Sequence, residues 1–547
     1  MRTWILLSAI AALFLLLRLP GTALPLHQDE YKWPMIVNPA TNYGTNIPHP
    51  PLSQFIYQSA GALVGYDVHF RYVPLVFGFV NLFLLWYWLR SRAGEKAALW
   101  GAVLFALSYY SILASLMVDT DGQIMPFFLL LALIAYDKAR IDARWWGAVA
   151  LACAAGFLVK TSFILAIGAI LTDVLWDRRV LLFTRAALRY VGFGLIGVAG
   201  LGLLLFLTQY LFPFFNLATS LTYWQHFASL SHNWFQVAIQ AIKAALYLSP
   251  LLVLIPLWAS REEYVAVRPL VFFVVFGLFF YLVLFDFSVG ALDRYLQFLI
   301  VPLVALAAVF LSRQHFARTH YAYLGIGIIF AALFVALQFL PHAVPALHPK
   351  SEWIGRILSF NWAFLYPFSG GSGPLTFYVS FLFIGLSWIA AGVCVGFGMV
   401  RTEWRTALLA ILLPLGLTYN AVFAEEYLLG KINGYAPGLV ARAAAFIAAE
   451  SSIQKVVVYN DNGGDEIRKT GKYEKRLYTT PDFGDWTQKA DTMNAFKGHY
   501  LVIDAPPVDP TSFFAKYFAT CESVYQDTDK AMHATLYDCR KAPPIVL

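Results

Sequence analysis

Thr3-Trp4-Ile5-Leu6-Leu7-Ser8-Ala9-Ile10-Ala11-Ala12-Leu13-Phe14-Leu15-Leu16-Leu17-Arg18-Leu19-Pro20 opens the chain, and Leu26-His27-Gln28-Asp29-Glu30-Tyr31 follows it. The first stretch is apolar over nearly the length a helix needs to cross a bilayer, about 20 residues. The second sets two adjacent carboxyl groups just beyond that run. Runs of the first kind recur as far as residue 424, and this recurrence decides the fold class. The acid pair, held near the membrane surface, marks a candidate site.

Composition agrees. The 547 residues are 59% hydrophobic and only 13% charged, against about a quarter charged in a soluble domain. Aromatics reach 17%, as expected where Trp and Tyr sit at lipid–water boundaries. Residues 1–426 hold 25 Lys+Arg and 18 Asp+Glu, while residues 427–547 hold 14 of each. The whole +7 surplus therefore belongs to the membrane part. It reports topology, and no nucleic-acid partner is expected.

Thirteen apolar runs are read as spans: 3–20, 72–90, 97–117, 123–137, 145–159, 161–177, 190–211, 245–260, 269–286, 295–312, 321–341, 375–400 and 406–424. Placing Met1-Arg2 in the cytoplasm puts 17 of the 25 basic residues in alternate loops, from Arg90, Arg92 and Lys96 through to Arg401 and Arg405. That is the positive-inside pattern. The intervening loops are longer, rich in Pro, Gly, Trp and Tyr, and hold ten of the acids. The expected topology has the N-terminus inside and the C-terminal domain outside. The first span is read as retained rather than cleaved, with Arg18 snorkelling to the interface.

Hydropathy collapses after Tyr427. Lys455-Val456-Val457-Val458-Tyr459 and His499-Tyr500-Leu501-Val502-Ile503-Asp504 read as short buried strands. Asn460-Asp461-Asn462-Gly463-Gly464 reads as a turn at a strand end, and Val440 to Glu450 as an Ala-rich helix. The fold class expected is an all-α polytopic membrane domain over 1–426, followed by a small α/β domain over 427–547. Cys153 and Cys394 read as packing residues inside apolar runs. Cys521 and Cys539 are candidates for a disulfide if the tail lies outside the cytoplasm. Spacing alone leaves that open.

Five groups of residues carry candidate chemistry. Asp29 suits a general base or a metal ligand, and Glu30 a substrate-positioning role, because a carboxylate takes a proton from an attacking hydroxyl. The alternative is two solvated loop acids. His49-Pro50-Pro51-Leu52 has a backbone fixed by proline, leading into an interfacial helix over Leu52–Tyr66. It either holds His49 beside the site or is a rigid corner with an incidental histidine. Asp119-Thr120-Asp121-Gly122 offers acids to a metal or a sugar hydroxyl, or Asp121 simply caps the next helix. Lys160 lies between two apolar runs, where an unpaired ammonium is costly and a functional role is the default; snorkelling is the bland reading. Asp293-Arg294-Tyr295 supplies a guanidinium suited to phosphate, or a surface pair. Arg71, His226, His232, Asp286, Lys350 and Arg356 are weaker candidates. No P-loop, dinucleotide fingerprint or HExxH is present, which argues against a nucleotide-driven pump.

These motifs, in this order along residues 1–312, resemble the membrane glycosyltransferases of the GT-C fold. The resemblance is to the branch with protein O-mannosyltransferases and the lipid A aminoarabinose transferase. It is carried by Asp29-Glu30, His49-Pro50-Pro51-Leu52, Thr120-Asp121, Val159-Lys160-Thr161, and Arg294-Tyr295 with Pro302. The chain departs from the family at His49, where many relatives carry Lys, and at Thr161, where they carry Gly. The resemblance implies a polyprenyl-phosphate sugar donor and a lipid, glycan or protein acceptor. It implies Asp29 as base in an inverting displacement, with Lys160, Arg294, His49 and Tyr295 around the donor phosphate. Asp119 and Asp121 would meet substrate or metal. A divalent metal is compatible with this chemistry and not required by it. The rival class is a transporter or flippase of lipid-linked glycans. Such proteins usually show inverted repeats and midplane polar groups; here no repeat is evident and the candidate charges gather at one face.

Overall fold

The computed structural model describes the chain except residues 1, 28, 42–48, 179–185, 213–214, 228–231, 286–291, 347–349, 369–373, 478–485 and 546–547. Some side chains within described helices, those of His226, Asp293 and Lys350 among them, also lie outside the description. The chain forms two compact units. The first is Met1–Thr22 with Lys32–Ala317, and the second is Ala23–Tyr31 with Arg318–Leu547.

Among the described residues, six helices are long and apolar enough to cross a membrane: Thr3–Ala23, Val68–Ala93, Leu296–Arg313, His320–Phe339, Phe381–Val400 and Thr402–Leu428. Two bent pairs raise the number to eight: Glu95–Leu107 with Tyr109–Leu116, bent by 64°, and Trp234–Leu246 with Pro250–Trp258, bent by 113°. Together these account for eight of the thirteen expected spans among the described residues. The runs at 123–137, 145–159 and 161–177 do form helices, Ile124–Ala139, Trp146–Val159 and Ile164–Asp177, of 16, 14 and 14 residues. A straight crossing takes about 20. Apolar run length measures hydropathy, and helix ends cut into it at Gln123, Lys160 and Arg178.

In the first unit, Leu296–Arg313 is the central element, with Val304, Ala305, Ala307, Ala308 and Leu311 fully buried. The break at Ser108 leaves the last carbonyls of Glu95–Leu107 without helical partners. Arg18 meets them. Its guanidinium donates to Phe105 O at 3.4 Å, Ala106 O at 3.0 Å, Phe14 O at 3.0 Å and Ser111 Oγ at 3.1 Å. Arg18 is thus wholly buried, which corrects the snorkelling expected of it. Arg71, also buried, donates to Leu116 O at the end of the second half.

The helix expected after His49 spans Pro51–Val64, with Pro51 in its first turn. Proline suits that position because the amide it lacks would be unpaired there. Ser53, Gln54, Tyr57 and Gly61 are buried, while Phe55, Leu63 and Val64 are exposed. A polar face turned inward and an apolar face turned outward suit an interfacial helix.

In the second unit, His320–Phe339 exposes Tyr321, Ile328, Ile329 and Leu333, as a lipid-facing helix does. A hairpin of β1 (Leu365–Phe368) and β2 (Phe377–Ser380) precedes the last two spans. The tail carries a five-stranded sheet in the order β4 (Tyr473–Leu477), β3 (Val456–Tyr459), β5 (His499–Asp504), β7 (Met532–Asp538), β6 (Glu522–Asp529). β3 runs parallel to β4 and β5, whereas β7 runs antiparallel to β5 and β6. Alternate side chains face opposite sides of a strand. Val456, Val458, Leu501 and Ile503 accordingly pack under the helix Ala436–Ala449. Val457, Tyr459, Tyr500 and Val502 meet Met493, Phe514 and Phe518 on the other face. Both faces are covered, which is why the two runs read as short buried strands with largely apolar interiors.

Cys521 and Cys539 form a disulfide, with Cα atoms 4.6 Å apart. It staples the ends of the β6–β7 hairpin next to the Glu522–Asp538 pair. Cys521→Ser in the full chain is expected to destabilise the tail by about 2–4 kcal/mol. The check is the temperature at which residues 522–538 become protease-sensitive. An unchanged threshold would show the hairpin to be held by its ladder alone.

Candidate active site

The loop 117–123 turns between two helices of the first unit and is pinned at several points. Asp119 N–H donates to Met117 O at 2.9 Å, and Tyr57 Oη donates to Asp119 O at 2.9 Å. Asn81 Nδ2 donates to Gln123 O at 2.8 Å, and Gln123 Nε2 to Ser115 Oγ at 3.0 Å. Gly122 is held at close quarters. A Cβ there would lie 2.5 Å from Gln297 Oε1 and 2.8 Å from Ala114 O, below any normal contact. Gly122→Ala is therefore expected to push the loop off its neighbours and to destabilise the protein by about 1–3 kcal/mol, as overpacking typically does. Thermal unfolding in detergent checks this; an unchanged midpoint would show that the loop's seating is unimportant.

The loop presents Asp119 and Asp121 inward, with side chains 8% and 1% exposed. Lys160 reaches them from the extended residue between Trp146–Val159 and Ile164–Asp177, and its Nζ is bonded to Asp121 Oδ2. Arg294 comes from the helix Leu292–Tyr295, placing Nε 3.1 Å from Asp119 Oδ2. Tyr295 lies between the two cations. Its ring centroid is 4.7 Å from Lys160 Nζ and 4.7 Å from Arg294 Cζ. Its hydroxyl accepts from Arg294 Nη2 at 2.7 Å, and Tyr281 stacks on it at 5.4 Å.

Thus four of the residues singled out from the sequence, Asp119, Asp121, Lys160 and Arg294, converge in one buried quartet, with Tyr295 at its centre. Burial raises both carboxyls. At Asp119 the Arg294 and Lys160 charges outweigh it and hold the carboxyl below its usual range. At Asp121 burial prevails, against the pull of Lys160, and the carboxyl sits above its usual range. The cations are not bare: each arrives already paired, so an incoming phosphate must compete with a carboxylate for it. A buried pair is poor evidence for stability, because desolvation offsets its attraction.

His49 belongs to the same unit. Its ring stacks on Trp33 at 5.3 Å, and Trp33 in turn lies 4.7 Å from Tyr57, whose hydroxyl holds the Asp119 backbone. Trp33, Tyr57 and Tyr281 escaped the sequence reading because nothing distinguishes them from the chain's many other interfacial aromatics.

Asp29 and Glu30 lie in the second unit, in the first turn of the helix Asp29–Val37. Acids there complement the helix dipole. Glu30 is buried, and its Oε2 accepts from His27 N–H at 2.9 Å while its own N–H donates to His27 O at 2.9 Å. Glu30 is thereby a helix-capping residue; Asp29 is half-buried. Of the weaker candidates, Arg71 caps a helix, Arg356 pairs with Glu352 at 2.9 Å, and His232 stacks on Trp234 at 4.8 Å. Asp286 and the side chains of His226 and Lys350 lie outside the described residues. Among the described residues, no three His, Cys, Asp or Glu side chains cluster as metal ligands. Asp119 and Asp121, read from the sequence as offering carboxylates to substrate or metal, are ion-paired with Arg294 and Lys160.

Residues 48–203 match the family model described as dolichyl-phosphate-mannose-protein mannosyltransferase. That segment contains His49, Asp119, Asp121 and Lys160. Two crystal structures of ArnT from Cupriavidus metallidurans are similar over 97% of both chains, each with a TM-score of 0.56. The apo state is 16% identical, and the state bound to undecaprenyl phosphate 14%. The arabinosyltransferase EmbB from Mycobacterium smegmatis is 16% identical over 81% of this chain and 42% of its own, with a TM-score of 0.43. No curated protein sequence matches. The likeness to ArnT is one of fold and runs the length of the chain.

Proposed function

We propose that this chain is an integral membrane glycosyltransferase that moves a sugar from a polyprenyl phosphate to a lipid, glycan or protein acceptor. In this reading it works at the outer face of a bacterial cytoplasmic membrane. Thirteen spans cross that membrane, the N-terminus is cytoplasmic, and the tail, residues 427–547, is periplasmic. The observation that carries the reading is the quartet of Asp119, Asp121, Lys160 and Arg294 around Tyr295, within a GT-C fold.

The reaction follows from the residue types. The acceptor hydroxyl oxygen attacks the anomeric carbon as the bond from that carbon to the phosphate oxygen breaks, inverting the centre. Asp29 takes the hydroxyl proton. The leaving polyprenyl phosphate carries away the electron pair and gains negative charge. It needs fixed cations rather than a proton donor, and Lys160 and Arg294 supply them, with His49 and Tyr295 beside them. Asp119 and Asp121 hold the two cations in place before the donor arrives. One base suffices, because no covalent sugar–enzyme intermediate forms.

The test is mass spectrometry of lipid A, surface glycans and glycoproteins from cells with and without the protein. One sugar absent from one of these fractions is expected, and its attachment names donor and acceptor together. All three fractions unchanged, under conditions where the protein is present in the membrane, would overturn the reading.

A further inference from the structure

The carboxyl end of β3 holds a second cluster, lying wholly within the second unit. Asn460 and Asp461 both adopt left-handed backbone, with φ of 51° and 59°. Such φ values are uncommon for any residue but glycine. They turn the Asp461 side chain into the fold, where it is 1% exposed. Gly464 makes room for it: a Cβ there would stand 2.0 Å from Asp461 Oδ1. Tyr31 Oη donates to Asp461 Oδ2 at 2.8 Å, and Tyr473 Oη to Oδ1 at 3.4 Å. Arg476 Nη1 is 3.7 Å from Oδ2. The Arg468 guanidinium lies against two rings, 3.9 Å from the Tyr31 centroid and 3.7 Å from that of Tyr473. Burial raises the Asp461 carboxyl, while Tyr31 and the two arginines pull it back.

The place in the fold is informative. The chain leaves β3 for β4 on one side and later returns to β5 on the other. In open α/β sheets such a point of reversal is where ligands settle. Here Asn462 Nδ2 bridges to Ile503 O at 3.5 Å across it, and the side chain received beside it is the chain's own Tyr31. Tyr31 directly follows Asp29 and Glu30, and Glu30 fixes the start of their helix.

We infer that Asp461 is a positioning residue for the Asp29 turn: the tail grips Tyr31 through Asp461 and Arg468, and so sets the conformation in which Asp29 is presented. This rests on the proposed role of Asp29 as base. It gives the tail domain a part in catalysis without contact with substrate.

The test uses the full-length protein in lipid nanodiscs and three variants. Tyr31→Phe deletes one hydroxyl. Asp461→Ala deletes the acceptor. Asp461→Asn keeps a neutral oxygen for Tyr31. Hydrogen exchange over residues 26–37 is expected to quicken about tenfold in Tyr31→Phe, as for the loss of one hydrogen bond to a charged group. Asp461→Ala should do more and Asp461→Asn less. The double variant Tyr31→Phe/Asp461→Ala should be no worse than Asp461→Ala, since the two changes break one interaction. Exchange in β3 and β5 should hold in Tyr31→Phe. Sugar transfer in cells should fall in step with exchange at 26–37, while binding of undecaprenyl phosphate to the nanodiscs is kept. Unchanged exchange at 26–37, or full transfer in Tyr31→Phe, would overturn the inference. If Asp29→Asn transfers sugar normally, the failure lies instead with the proposed base.

Discussion

Lys160→Met is expected to abolish sugar transfer and to destabilise the membrane domain by about 3–5 kcal/mol, the usual consequence of stripping one partner from a buried ion pair. The reason is the depth of Asp121: its side chain is 1% exposed and bonded to Lys160 Nζ. Methionine fills the space but leaves that carboxyl without its cation. The destabilisation alone would stop activity, so the single variant cannot separate holding the fold from binding phosphate. The double variant Lys160→Met/Asp121→Asn does. Removing both charges leaves a neutral pair of similar volume, a change that is often close to neutral in stability. Thermal unfolding in detergent should therefore return to near the wild-type midpoint. Transfer should stay absent, because no ammonium faces the leaving phosphate. Recovery of both stability and transfer in the double variant would make the quartet a structural device and remove Lys160 from the chemistry. Arg294 offers a parallel comparison through Asp119, at 3.1 Å.

How much of this was legible in the sequence varies with the kind of signal. Membrane character was legible, because apolar run length and basic-loop alternation follow from transfer free energies that each residue contributes separately. The number of straight spans was less so. Lys160 reads as a break between two apolar runs, and it is one, but the helices on either side stop at 14 residues. The sheet strands at Val456–Tyr459 and His499–Asp504 were legible as short, mostly apolar runs buried on both faces. Lys160 and Arg294 could be singled out because a charge beside apolar sequence demands a reason. Their partners could not be read, since Asp121 is 39 residues from Lys160 and Asp119 is 175 from Arg294. Arg18 misled for the same cause: the carbonyls it binds are exposed only by a helix break some 90 residues away, at Ser108. Tyr31 gave no signal at all, because its partner Asp461 lies 430 residues on, in a loop that reads as an ordinary turn.

Asp29→Asn carries the second large effect, and it falls on chemistry rather than stability. Asp29 is half-buried at the first turn of its helix, where asparagine gives up only the interaction with the helix dipole, about 0.3–1 kcal/mol. The protein should insert and fold as before. Only the acceptor's proton loses its destination, and general-base contributions are typically about 10²–10⁴-fold. Transfer should drop by that factor. Glu30→Gln is the informative neighbour. Glu30 Oε2 accepts from His27 N–H, and glutamine retains an oxygen for that bond. The expected loss is therefore small, within about tenfold, as for a weakened cap of about 1 kcal/mol. The contrast between adjacent acids assigns the proton to one of them. Equal losses in both variants would mean that the pair works as a helix-starting unit and that the base lies elsewhere. A larger loss in Glu30→Gln than in Asp29→Asn would reverse the assignment.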